Sequence, residues 1–362
     1  MPKINLAVKQ LITLAAIGFV GMASFFLSSC GSTSTTATAT KPGSWEQIAN
    51  FSGVGRSGAS SFVIDGKAYV GGGFDADGKR LIDWWQFDPT KNGWVKKTDF
   101  PGAARSGAVA FTIGGKGYVG TGLGATSNRL KDFWEFSPTG NSGAGSWKQI
   151  KDFGDPITET GRYGCVSFTV SNRGFVGAGS PYSTTALNDL WEYLPSSDTW
   201  IQRTGLSFKR VNAFTLTIGN FVYVIGGSNN AQTIRQVEQY DPSNDSWTQK
   251  LALNQKDELG NKIDQPNSRE LASTFTIDGM GYITCGSIGG TNGTVLADTW
   301  QYNPTTDRWI QYYAMNNQYG GVSRDAAIGF SIGSFGYVTT GRNTNYRLDD
   351  TIKFNPVGVP PL

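Results

Sequence analysis

The sequence predicts an all-β fold, a six-bladed β-propeller whose ring is closed by the N-terminal strand around Trp45. Three observations predict it. A pattern about fifty residues long recurs six times after residue 44, and repetition at that period is a propeller signature. Each copy alternates short apolar runs with glycine-rich turns, and 48 glycines with 13% aromatic and only 16% charged residues suit many short strands rather than amphipathic helices. The sixth copy ends before its closing tryptophan, while an unmatched Gly43-Ser44-Trp45 precedes the first copy. A ring closes when that leading strand completes the last blade.

The copies align on their first and last landmarks. They begin at Arg56, Arg105, Arg162, Arg210, Arg269 and Arg324, and their prolines are Pro89, Pro138, Pro195, Pro242, Pro304 and Pro356. The closing tryptophans are Trp94, Trp147, Trp200, Trp247 and Trp309. In the second copy the runs Ala108 to Ile113, Gly117 to Thr121 and Asp132 to Phe136 read as the first three strands, and Trp147 lies on the fourth. Asp65-Gly66, Gly114-Gly115 and Asp278-Gly279 tolerate the positive φ of tight hairpins between strands one and two. Glycine within strand two lets the crowded inner strands approach, and the aromatic residues of the outer strands fill the gaps between blades. The large side chains therefore read as core.

Residues 1–29 read as a targeting leader, with Lys3 and Lys9 before an uncharged apolar run from Leu11 to Leu27. The run ends Leu27-Ser28-Ser29-Cys30-Gly31, which resembles the lipobox of bacterial lipoproteins; that resemblance implies acylation of Cys30. An ordinary secretion signal is the alternative. Residues 30–43 form a flexible tether, 44–358 the propeller and 359–362 a tail. The expected location is the bacterial cell envelope, periplasmic or on the outer-membrane surface, with the membrane touched only through the lipid. The formal charge of +3 loses Lys3 and Lys9 with the leader, leaving +1, which gives no support for nucleic-acid binding. Cys165 and Cys285 fall in blades three and five, which are not neighbours in a ring, so both read as buried thiols.

The repeats resemble kelch repeats across roughly residues 45–356. The resemblance rests on the paired glycines after strand two (Gly71-Gly72, Gly226-Gly227), the strand-three aromatic and the spaced final tryptophan. Blade four departs most, with Gln236 at the strand-three Asp position and Glu238 at the Trp position, and blade six has Ile352 at the latter. The resemblance implies a fold that hosts binding modules and enzymes alike. The galactose oxidases among its members use copper held partly by histidine. This chain has no histidine, which excludes that copper site together with histidine-based zinc sites and general bases. No cysteine pair has metal-ligand spacing, so no metal and no cofactor is expected.

Two faces of the ring remain. One carries trimmed turns; the other carries the loops after strand two and the blade-to-blade connections, some of them long (152–161, 251–268, 312–323), where function is usually carried. On that face Arg80, Arg129 and Arg347 each precede a leucine in blades one, two and six, which become consecutive when the ring closes. Kelch domains with known partners use loop arginines at this place to hold acidic groups, and arginine binds a carboxylate or sulfate bidentately. Alternatively each arginine caps its loop or pairs with Asp83, Asp132 or Asp350. The six blade-start arginines read as structural braces. The residue after each varies (Ser57, Ser106, Tyr163, Val211, Glu270 and Asp325), as a ligand-facing position would. The expected ligand-binding set is thus Arg80, Arg129, Arg347, Ser57, Ser106, Tyr163, Glu270 and Asp325.

Two functions fit. One is a non-catalytic, monomeric module binding a glycan or a protein segment through the loop face. The other is a periplasmic sugar-acid mutarotase or epimerase, since a sialic-acid epimerase family is also exported and kelch-built. That resemblance implies arginines on the carboxylate and Glu270 or Asp325 as the proton-moving residue. A pocket one sugar wide favours a small ligand, whereas a broad mouth favours a polymer or protein.

Overall fold

A computed structural model describes residues 41–358 except 156, 158–159, 182–184, 257–258, 261–262, 290–292, 316–321 and 345. The expected leader, Cys30, most of the expected tether and the expected tail lie outside the described residues, as do parts of the long connections. The described chain forms six four-stranded antiparallel sheets. Blade one consists of Ser60–Ile64, Lys67–Gly71, Trp84–Asp88 and Gly93–Lys96, and blades two to five repeat that order. Blade six takes Ile328–Ile332, Phe335–Thr339 and Thr351–Asn355 from the C-terminal end and Ser44–Gln47 from the N-terminal end. Trp45 lies opposite Phe354 and is 1% exposed. Its indole N–H donates to the Tyr313 carbonyl at 3.0 Å, which ties the closing strand to blade five.

The expected strands sit within a residue of their places; in blade two they are Val109–Ile113, Lys116–Gly120 and Phe133–Ser137, because the ladder reaches Lys116 opposite Ile113. Asp65 and Gly66 adopt φ of +49° and +68°, as a two-residue hairpin requires. Neighbouring blades interlock. The Phe62 ring stacks on Tyr69 of its own blade and presses on strand two of the next, where a Cβ on Gly117 would lie 2.4 Å from the ring. Gly174 against Phe111 and Gly336 against Phe275 repeat that contact. Glycine is needed there for space. Cys165 and Cys285 are both buried, and burial pushes the Cys285 thiol up to about 11.

The blade-start arginines are the braces of the scaffold, all of them 0–4% exposed. Each Nη1 donates to a carbonyl sixteen residues onward at 3.0–3.2 Å. Each guanidinium also pairs with a strand-three carboxylate of its own blade: Asp83, Asp132, Asp189, Glu238, Asp298 and Asp350 in turn. Asp83, Asp132 and Asp350 are therefore engaged by Arg56, Arg105 and Arg324, not by Arg80, Arg129 and Arg347. In blades one, two, three and five the indole of the Trp two residues on donates to the same aspartate, which explains the Asp-x-Trp spacing. Blade four solves the problem differently: Glu238, at the Trp position and fully buried, supplies the carboxylate that Gln236 lacks. The arginine backbone braces the neighbouring blade. Its carbonyl accepts from the last strand-two glycine of the preceding blade at 2.8–2.9 Å at all six joints, Gly341 to Arg56 included.

Candidate functional site

Beyond each arginine the chain turns toward the axis. The residue after it pairs across with the residue that follows the strand-two glycine, giving Ser57 with Phe74, Ser106 with Leu123, Tyr163 with Ser180, Val211 with Ser228, Glu270 with Ser287 and Asp325 with Arg342. These six pairs ring the mouth. In five blades a third residue joins the tip: Arg80 opposite Phe74, Arg129 opposite Leu123, Thr233 opposite Ser228, Val295 opposite Ser287 and Arg347 opposite Arg342. The three loop arginines thus share one register. The next residues inward (Gly58, Gly107, Gly164, Asn212, Leu271 and Ala326) all have φ between +49° and +62°. Backbone N–H groups from one to the next bridge five of these six joints at 2.8–3.1 Å, and this collar floors the mouth.

The mouth holds a cavity of about 480 Å³, inside the range of small-molecule pockets. Its wall includes Ser57, Arg80, Ser106, Tyr163, Glu270 and Arg347 of the expected set. Arg129 does not reach the wall: its guanidinium carbon lies 5.3 Å from the centre of the Tyr163 ring, and that ring faces the cavity instead. Asp325 is also absent from the wall. It is 1% exposed, and its two oxygens accept from Arg342 Nε at 2.6 Å and Nη2 at 3.0 Å. It therefore belongs to the basic sector rather than facing it.

The basic sector has more positive charge than the structure neutralises. Arg342 has Asp325, but among the described residues no carboxylate pairs with Arg80, Arg129 or Arg347. Arg80 is lightly tethered to neutral acceptors, Ser106 Oγ at 3.2 Å and the Ala125 carbonyl and Ser127 Oγ at 3.3 Å. Among the described residues, the Nε groups of Arg129 and Arg347 are buried without an acceptor. Burial, and next the charge of Arg342, lower the Arg347 pKa from the usual arginine range, although Asp325 and Asp75 pull the other way. A guanidinium crowded in this way binds an added anion favourably.

Opposite in character is the blade-five side. Glu270 is 4% exposed, and its Oε2 accepts from Ser228 Oγ at 2.7 Å and Asn212 Nδ2 at 3.0 Å. Ser228, Asn212 and Asn230 give this side hydrogen-bonding capacity without further charge. Sequence reasoning found the position after each arginine but missed its cross-strand partner, and with it Phe74, Ser228 and Arg342. The signal was there: each follows the second of the strand-two glycine positions (Gly73, Gly227 and Gly341) and so lands at the mouth by the same periodicity.

Two family models match the chain. One described as the KLHDC2/KLHL20/DRC7 Kelch-repeats domain covers residues 34–209, and the Kelch motif covers residues 209–250. No curated protein matches. Among solved structures, the one titled "Structure of YjhT" superposes with a TM-score of 0.66 over 84% of this chain and 96% of that one, at 13% identity. At that identity the likeness establishes the fold.

Proposed function

Because this chain is a kelch-repeat β-propeller, a fold that generally serves as a binding scaffold, we propose that it is a binding module taking a small acidic ligand, a sugar acid or the acidic end of a glycan, into its mouth. One observation carries this reading. Half-buried Arg80 and Arg347 stand at the wall of a sugar-sized cavity with no carboxylate partner among the described residues. An uncompensated guanidinium in such a place costs stability unless an anion arrives to use it. The neutral amides and hydroxyls around Glu270 suit the hydroxyl groups of a sugar. The protein is further read as an exported monomer anchored through acylated Cys30, a reading that rests on the leader sequence alone.

The test is a glycan-array screen of the protein beside its Arg80→Ala/Arg347→Ala variant. Selective binding of acidic sugars that the variant loses supports the reading. Acidic-sugar binding that the variant retains refutes the site, and binding of neutral glycans only, or of none, turns the search to a protein partner. A second reading has one observation in its favour: Glu270 shares the cavity with the arginines, so a bound sugar acid would lie within reach of a carboxylate that can move a proton. On that reading the protein is a mutarotase or epimerase, and anomer exchange of a bound sugar acid followed by NMR should collapse in Glu270→Gln while binding survives.

A further inference from the structure

We infer that Phe74 is a positioning residue: its ring holds Arg80 and Arg347 at the mouth with their charges uncompensated, so that both guanidiniums stay available to an oxyanion. This rests on the acidic-ligand reading above and deepens it. The guanidinium carbons of Arg80 and Arg347 lie 5.3 and 5.7 Å from the centre of that one ring, although the arginines come from blades one and six. Phe74 is itself fixed on both sides. Its N–H donates to the Ser57 carbonyl at 2.9 Å, the Ser57 N–H returns to its carbonyl at 3.0 Å, and Arg80 pairs across its other edge.

The rest of the chain supplies the control. Arg56, Arg105 and Arg162 also lie over phenylalanine rings, those of Phe51, Phe100 and Phe153, at 4.7–4.9 Å, but each has an aspartate as well. In the mouth itself Arg342 has Asp325. The fold therefore places a carboxylate beside an arginine readily, and at Arg80 and Arg347 a ring stands in its place. The difference matters chemically. A carboxylate takes N–H donors and cancels the charge, whereas an aromatic face attracts the cation through its quadrupole and takes none of its N–H groups, which at Arg80 meet only long contacts to neutral oxygens. Burial lowers the pKa of both arginines, as it does for any guanidinium taken out of water.

The test uses the full chain with Phe74→Leu, which keeps the bulk but removes the π face, and Phe74→Tyr, which keeps the face. Glucuronate and inorganic sulfate are titrated by calorimetry, and the Nε–H signals of Arg80 and Arg347 are followed by NMR in the free proteins. Losing the ring face should weaken both anions by about 2- to 30-fold, with Tyr close to wild type and the unfolding midpoint little changed. In the free protein the two Nε–H signals should move in Leu, as the ring current is lost, and stay in Tyr. Unchanged affinity in Leu, or Tyr as weak as Leu, overturns the role of the ring. If neither anion binds wild type, the acidic-ligand reading falls. The NMR comparison then decides the positioning role by itself, and unmoved Nε–H signals in Leu would overturn that too.

Discussion

Single substitutions of the three loop arginines should separate them, although the sequence places all three in one register. Take Arg347→Ala first. The residue lines the cavity and has no carboxylate partner among the described residues, so an anion reaching its guanidinium there would gain a charge-assisted hydrogen bond without first displacing an ion pair. Such bonds contribute about 1.5–3 kcal/mol, which corresponds to a loss of roughly 10- to 150-fold in affinity. Arg80 must first release its contacts to Ser106, Ala125 and Ser127 at 3.2–3.3 Å, so its net share is nearer the value of an ordinary exchanged bond, about 0.5–1.5 kcal/mol or 2- to 12-fold. Arg129 stands behind the Tyr163 ring and acts only through its field, which solvent and salt reduce to well under about 1 kcal/mol. Calorimetric titration of an acidic sugar found on the array, at two salt concentrations, would rank the variants. The ranking Arg347, then Arg80, then Arg129 is expected, with the Arg129 effect vanishing at high salt. Equal losses at Arg129 and Arg347 would refute the reasoning, because they would require Arg129 to touch the ligand.

Other perturbations test the scaffold. Trp45→Ala removes a 1%-exposed indole and its bond to Tyr313, so the ring should lose about 3–5 kcal/mol in urea unfolding; a loss under about 1 kcal/mol would mean that the leading strand does not close it. Glu238→Gln leaves Arg210 buried without a counter-ion and should cost about 3–5 kcal/mol, whereas the added pair Gln236→Asp with Glu238→Trp should recover most of that loss by restoring the pattern of the other blades. Failure of the double variant to exceed Glu238→Gln in stability would show that the two solutions are not equivalent. For Asp298, burial opposes ionisation, but the Arg269 hydrogen bonds and charge and the Trp300 indole outweigh it and hold the carboxyl below its usual range. A folded-state pKa below the unfolded one adds stability that is complete above pH ~4 and disappears as pH falls through the folded value. Denaturation midpoints of wild type and Asp298→Asn should therefore differ most at neutral pH and converge in acid, and a constant gap would contradict the assignment.

Periodicity explains why so much of this molecule was legible and also why some of it was not. A residue that recurs at one register in six copies must meet the same neighbours six times, so Arg56 and its counterparts announced themselves as braces and the strand-two glycines as places where crowded inner strands approach. The mouth follows the same ladder, which is why the position after each arginine could be placed there from sequence. What periodicity does not encode is which nearby partner a charged side chain takes. Asp83 is close in sequence to Arg80 and distant from Arg56, yet strand pairing delivers it to Arg56 at 2.7 Å and leaves Arg80 to Phe74. Arg80 and Arg129 occupy equivalent places, yet blade three offers a tyrosine where blade two offers a serine, and Tyr163 removes Arg129 from the wall while Ser106 lets Arg80 through. Blade four shows the same principle in the scaffold. Its sequence departs most from the motif, but Glu238 satisfies Arg210 from two residues beyond the missing aspartate, because what the fold requires is a carboxylate at a point in space. The converse holds at the mouth, where among the described residues Arg80 and Arg347 have no carboxylate partner although Arg342 beside them does. In a molecule that supplies a counter-ion to each of its six bracing arginines, even where the motif has drifted, leaving these two without one is the feature that an acidic ligand would complete.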